Sequence, residues 1–310
     1  MIHTIIYLLH LAGSGAQIVI LPGTPVAMAK AEDGVSIAYG NQPYVSIWHT
    51  GSSIENMPFE AVEPRDICIW NGELVVSDYT SRSIVSENSF IPLPGSPDGI
   101  CEVFWSSSDY PELAVALFDP GMVVIVRSDG SVLPLVGMER AKCVSAADAD
   151  GDGDTDIFAS GCGSGVILIE NREGLPVVHS IGNIQAGVKR CTAADMDNDG
   201  LVDVAGIACA DGGAGWWRNP GILGGEWAYQ EIDGSLEGPK DICISGGNMA
   251  IVSLFSSPLF NFPMRTEHPG GFISCCFVDG ETLILGHRAG FLAVLSFNPG
   301  NTTSPELTLH

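Results

Sequence analysis

The chain has 310 residues and a formal charge of −24, from 13 Lys+Arg against 37 Asp+Glu, yet only 16% of it is charged. The acidity comes from scarce bases, since an average soluble domain is about 25% charged; it excludes nucleic acid as a direct partner and disfavours an anionic membrane surface, because both would be repelled. A hydrophobic content of 45% excludes disorder and is ample for a large core.

Residues 2–12 form a short apolar run that leads into Gly13-Ser-Gly-Ala16. The run resembles the apolar centre and small-residue cleavage site of a secretory signal, although no basic stretch precedes it. It is too short, and too interrupted by His10, to span a bilayer. The expected organisation is a signal peptide over 1–16 and one domain over 17–310, with no membrane span in the mature chain. Free cysteines in an oxidising compartment weigh modestly against export.

From residue 17 onward the chain reads as strands. Its 38 glycines and 19 prolines punctuate short Val/Ile/Leu runs such as Glu73-Leu-Val-Val-Ser and Gly165-Val-Ile-Leu-Ile, and no amphipathic helical pattern of ten residues is present. Many short strands with turn signals between them indicate a sandwich, barrel or propeller.

A repeat decides among these. Pro64-Arg-Asp-Ile-Cys68, Pro97-Asp-Gly-Ile-Cys101 and Pro239-Lys-Asp-Ile-Cys243 share one frame. Cys143, Cys191 and Cys275 fit the same position, and Ala29 occupies it in the first unit. The anchors are 32 to 52 residues apart, which brackets the roughly 40–50 residues of a four-stranded propeller blade. Seven such units predict an all-β, seven-bladed β-propeller of four-stranded antiparallel blades. The cysteines then read as small buried apolar residues between blades. The adjacent pair Cys275-Cys276, or Cys162 with Cys209 in matching register, are the candidates for redox chemistry or a bridge. Gln17-Ile-Val-Ile and Glu306-Leu-Thr-Leu-His310 compete for the outer strand of the last blade.

In most units the first turn is a tight hairpin, as at Asn71-Gly72. The fourth and fifth units carry acidic loops instead. Asp148, Asp150, Asp152, Asp154 and Asp156 lie in one, and Asp195, Asp197, Asp199, Leu201 and Asp203 in the other. Both fit D-x-D-x-D-G-x-x-D. Carboxylates at positions 1, 3 and 5 of a turning loop converge, glycine at position 6 allows the bend, and the position-7 carbonyl (Asp154, Leu201) with the position-9 carboxylate completes an oxygen shell. Six to eight hard oxygens suit Ca²⁺, so two calcium sites are expected. Position 12 of an EF-hand would need Glu, but Ala159 and Gly206 stand there, so the motif is a calcium-bound β-hairpin.

These frames, Ala146-Ala-Asp-Ala-Asp-Gly-Asp-Gly-Asp-Thr-Asp-Ile and Thr192-Ala-Ala-Asp-Met-Asp-Asn-Asp-Gly-Leu-Val-Asp-Val, resemble FG-GAP/VCBS-type repeats, the blades of integrin α-subunit heads and many bacterial surface proteins. The likeness covers roughly residues 139–245, and elsewhere rests on the anchor alone. It implies a secreted or surface propeller, structural calcium, and recognition or adhesion toward an extracellular protein or polysaccharide. The chain is expected to act as a monomer.

Catalytic chemistry has little support in the sequence. The seven histidines are scattered without an H-E-x-x-H pair, and Ser164, in Gly161-Cys-Gly-Ser-Gly, lacks the glycine two residues before it that a nucleophile elbow needs. A propeller polysaccharide lyase or glycoside-cleaving enzyme is the alternative; His, Arg, Tyr or Lys converging on the central channel would favour it. A lectin would need exposed aromatics in several blades, and Trp105, Trp216, Trp217 and Trp227 are the candidates.

Overall fold

In the computed structural model, short apolar runs separated by glycine-rich turns fold as strands, 28 of them among the described residues. It describes residues 17–296 apart from 32–33, 41, 43, 50–53, 107–108, 185–186, 211, 257, 261–263, 266–269 and 280–281. The proposed signal segment 1–16 and the Glu306–His310 strand lie outside the described residues.

After β1 (Gln17–Ile20), the strands fall into four-stranded antiparallel sheets, each running from the axis outward. The first holds β2 (Pro25–Ala31), β3 (Gly34–Tyr39), β4 (Tyr44–His49) and β5 (Ile54–Pro58). The second holds β6 (Pro64–Trp70), β7 (Glu73–Asp78), β8 (Ser83–Val85) and β9 (Phe90–Pro92). Next come β10 (Ser96–Val103), β11 (Glu112–Asp119), β12 (Met122–Val126) and β13 (Val132–Gly137). The fourth sheet is β14 (Ala141–Ala147), β15 (Asp156–Gly161), β16 (Gly165–Arg172) and β17 (Leu175–Gly182). The fifth is β18 (Val188–Ala194), β19 (Asp203–Ala208), β20 (Ala214–Arg218) and β21 (Ala228–Asp233). The sixth has β22 (Pro239–Ser245) and β23 (Asn248–Ser253), with two-residue outer strands β24 (Leu259–Phe260) and β25 (Met264–Arg265). The last is β26 (Phe272–Phe277), β27 (Thr282–His287) and β28 (Phe291–Ser296), completed by β1.

This corrects the expectation of a seven-bladed propeller of four-stranded blades. Six sheets, not seven, are blades of four consecutive strands; the remaining sheet is assembled from both ends of the described chain, with Gln17 opposite Val294 and Ile20 opposite Phe291. The reason is steric and energetic. β28 is buried like the third strand of the other sheets, so its outward backbone groups need a partner, and β1 supplies it with main-chain hydrogen bonds.

The anchors Ala29, Cys68, Cys101, Cys143, Cys191, Cys243 and Cys275 all lie on the innermost strands β2, β6, β10, β14, β18, β22 and β26. These strands pack side by side in that order, and β26 returns to β2, which closes a ring. Second strands such as β15 and β19 are buried along their whole length, because each is sandwiched between two neighbouring sheets. That position explains their continuous apolar runs in place of alternation. Outer strands such as β5 and β21 are largely exposed and polar.

Each core cluster joins two sheets. Cys143, Phe158 and Leu168 of the fourth sheet meet Cys191, Val204 and Trp217 of the fifth. Val35, Ile37 and Trp48 of the first meet Cys276, Ile284 and Leu292 of the last. Burial pushes the thiols of Cys68, Cys101 and Cys275 up from their ordinary range, so they stay protonated and inert. Cys162 and Cys209 depart from this pattern. They form a disulfide with Cα atoms 5.7 Å apart, tying the fourth sheet to the fifth.

Asn71 and Gly72 both have positive φ, 52° and 77°, the geometry of a tight I′ hairpin that links β6 to β7. No helix among the described residues is long and apolar enough to cross a membrane.

Candidate functional site

The acidic loops follow the ends of β14 and β18. In the first, the carboxylates of Asp148, Asp150 and Asp156 converge, each offering an oxygen within 4.8 Å of the others. In the second, Asp195, Asp197 and Asp203 do the same. Positions 1, 3 and 9 are thus brought together in both loops. The position-5 carboxylates Asp152 and Asp199 lie outside these triads and accept the backbone N–H groups of Asp154 and Leu201 at 2.8 and 2.9 Å.

Backbone donors shape each loop. Asp148 accepts from Gly151 and Gly153 at 2.7 and 3.0 Å, and Asp195 accepts from Asp199 and Gly200 at 3.2 and 3.0 Å. Position 9 is the anchor. Asp156 is 1% exposed and Asp203 0%; the first accepts the N–H of Ala149 and Asn171, the second those of Met196 and Asn219. Burial pushes the Asp156 carboxyl up to about 6 and raises that of Asp203. Burial, then Asp152, raises that of Asp150. A carboxylate oxygen with one N–H donor keeps a second lone pair for a cation. An all-oxygen donor set crowded with like charge fits a hard divalent ion such as Ca²⁺.

Sequence reasoning missed the residues that hold these loops. Asn219 Nδ2 donates to the carbonyls of Ala149 and Val202 at 2.8 and 2.9 Å, so it latches the fifth sheet onto the loop of the fourth. Asn171 Nδ2 likewise reaches the carbonyl of Trp105 in the third sheet at 3.0 Å. The signal was present in the sequence as an asparagine recurring 48 residues apart. The residue before each asparagine differs. Arg218 in the second loop forms ion pairs with Asp197 and Asp199 at 2.7 and 2.9 Å. Glu170 stands at the equivalent place near the first loop, held by Arg172 and His179.

A second site lies at the opposite end of the inner strands. Inner strand after inner strand begins with a register shift, as between Pro64 and Asp66, Ala141 and Cys143, Val188 and Arg190, and Pro239 and Asp241. A bulge leaves one residue unpaired and re-aims its side chain. Here the bulged residues line an axial cavity of about 420 Å³. Arg65, Lys142, Lys189 and Lys240 are four of them, and Asp98 is a fifth. Val26 and Ile273, in the first and last sheets, complete the rim with apolar side chains.

Some of this charge is paired. Arg65 contacts Glu63, and Lys142 Nζ lies 2.7 Å from Asp98 Oδ2. Arg190, next to the bulge, reaches across the axis to Asp66 at 3.0 Å and lies 4.0 Å from Asp241. Asp66 and Asp241 also accept the N–H groups of Ile100 and Cys275 on the next inner strands, which gives the Asp of the Asp-Ile-Cys frame its purpose. Burial, with Lys240, Arg190 and Lys142 nearby, pushes the Lys189 ammonium down to about 7.

The tryptophans considered for sugar stacking are mostly core. Trp105, Trp217 and Trp227 are 2%, 2% and 4% exposed, and Trp105 Nε1 donates to the Gly174 carbonyl.

Radial four-stranded sheets around a central axis define the molecule as a β-propeller. Solved structures agree on that fold. Virginiamycin B lyase from Staphylococcus aureus is similar at 14% identity and a TM-score of 0.72, over 92% of this chain and 99% of that one. YCF48 bound to D1 peptide is similar at 12% identity and a TM-score of 0.64, over 93% and 98%. BBS1N in complex with ARL6DN matches at 12% identity and a TM-score of 0.66, over 95% and 98%. No family model matches the chain, and no curated protein matches it in sequence. At these identities the likeness carries the architecture and no activity.

Proposed function

We propose that this propeller is a secreted recognition or adhesion module, of the FG-GAP/VCBS type, in which two structural Ca²⁺ ions stiffen the loops of the fourth and fifth blades. The observation that carries this reading is the pair of carboxylate triads, Asp148/Asp150/Asp156 and Asp195/Asp197/Asp203, in equivalent places of adjacent blades. Clustered carboxylates repel one another, and a bound divalent ion converts that repulsion into stabilisation of the folded loop. The Cys162–Cys209 bridge supports export, because such bonds persist in oxidising compartments. YCF48 bound to D1 peptide and BBS1N in complex with ARL6DN show that this architecture can hold a partner; the ligand proposed here is an extracellular protein or polysaccharide, bound by a monomeric chain.

A glycan array and a matrix-protein binding screen, each run with calcium and with chelator, test the reading. It requires saturable binding of at least one ligand, weakened by chelation. Binding of nothing across both screens would contradict it.

One observation favours a second reading. The basic residues that converge on the channel are what a polysaccharide lyase needs to neutralise a uronate carboxylate, and a lysine with a depressed pKa suits proton abstraction. Unsaturated product released from a uronate polysaccharide would replace the binder with this enzyme.

A further inference from the structure

The chain is short of bases, yet five of its 13 Lys+Arg residues meet at one mouth of the axial channel. Diffuse surface charge does not produce this, because strand bulges individually turn Arg65, Lys142, Lys189 and Lys240 toward the axis. Carboxylates account for three of the five: Glu63 for Arg65, Asp98 for Lys142, and Asp66 with Asp241 for Arg190. Among the described residues, Lys189 and Lys240 have no carboxylate within ion-pair distance. They stand on adjacent blades and repel each other across the cavity, an arrangement that costs stability until an anion enters.

The rest of the rim has the opposite character. Ile273 and Val26 occupy the bulge positions of the last and first blades, and Leu254 lies beside them. The cavity therefore has a cationic arc over the fourth to sixth blades and an apolar arc over the first blade and the sheet that β1 completes. Its volume, about 420 Å³, falls in the range of small-molecule pockets.

We infer that this axial mouth binds a small organic oxyanion, its phosphate, sulfate or carboxylate group held by Lys189 and Lys240 and its apolar body against Ile273, Val26 and Leu254. Lysines act as compact point charges and suit an oxyanion approached from several directions. The inference deepens the recognition reading by naming a ligand class, and rests on that reading but not on calcium.

The test is calorimetric titration of the full chain with phenyl sulfate, phenyl phosphate and benzoate, with benzyl alcohol as the neutral control. The phenyl sulfate arm is run both with calcium and with chelator, so that failure of the metal proposal is not read as failure here. At least one of the three anions is expected to bind saturably, with affinity falling as salt rises. The loss on Lys189→Met/Lys240→Met should be tenfold or more, while benzyl alcohol binds at least tenfold more weakly. That double variant should melt no lower than wild type, since it removes a repulsion, and this check separates lost binding from lost folding. Failure of all three anions to bind, or equal affinity in the double variant, would overturn the site. So would equal binding of benzyl alcohol. Anion binding without any array partner would leave the site standing and contradict the wider adhesion reading.

Discussion

Asn219 shows how a single side chain is made indispensable in this molecule. It is 2% exposed, donates to the carbonyls of two loops, and accepts from the Gly221 N–H. Asn219→Ala strands the buried carbonyl of Ala149 and releases the loop that carries Asp148. Leaving a buried polar group unpaired costs about 1–3 kcal/mol, so the urea midpoint should fall by a corresponding amount, with Asn171→Ala close behind. Lys189 gives a prediction of opposite character. Its folded pKa of about 7 lies below the ordinary lysine value of about 10.4, so between those values the unfolded chain binds more protons. Its contribution to stability therefore rises as pH increases through that window, and the cost is fully present below pH 7. Glu63, Arg65, Asp66, Asp98, Lys142, Arg190, Lys240 and Asp241 surround it and set the background. Melting curves of wild type and Lys189→Met should converge from neutral to alkaline pH; a constant gap would contradict the assignment.

At the scale of elements, the fourth and fifth blades are bound more tightly than their neighbours. The Cys162–Cys209 bridge joins positions 47 residues apart, and a cross-link of that span contributes about 2–4 kcal/mol. Reduction, or Cys162→Ser/Cys209→Ser, should lower the melting temperature while leaving the far-ultraviolet spectrum unchanged. The two acidic loops should differ as well. Arg218 already places a cation against Asp197 and Asp199, whereas Glu170 adds negative charge near Asp150. Calcium is therefore expected to bind the first loop more tightly, and Arg218→Ala should strengthen the second, as read by competition with a chromophoric chelator. Convergence of the first, third and ninth carboxylates was legible in the sequence because their spacing is local; that the fifth would turn to backbone N–H groups was not. Nor was the axial site. Lys189 and Lys240 sat in view within the anchor frames, but a bulge breaks the two-residue alternation by which a strand's faces are read, so their direction depended on register. The bridge was half-legible: equal register put Cys162 and Cys209 forward, and only the packing of two blades separated a bonded pair from buried thiols.

Across the whole molecule, closure of the ring is what the parts serve. The repeated small anchor residue revealed the inner strands because every inner strand faces the same crowded geometry. Sequence could not choose between two segments for the last sheet, since both read as short apolar runs; pairing of Gln17–Ile20 with β28 fills that place. Arg190 acts at the same scale, spanning the axis from the fifth blade to Asp66 of the second and toward Asp241 of the sixth. Arg190→Ala would leave two inward carboxylates without their cation, a loss of about 3 kcal/mol, seen as a lower denaturant midpoint. The central claim, however, is that two calcium ions are built into this ring. Calcium titration of the chelator-stripped protein, followed by calorimetry and by melting temperature, tests it directly. The account predicts two ions per chain and a higher melting temperature, with one ion in Asp148→Ala and none in Asp148→Ala/Asp195→Ala. Heat and melting curves indifferent to calcium, or an equal response in the double variant, would contradict it.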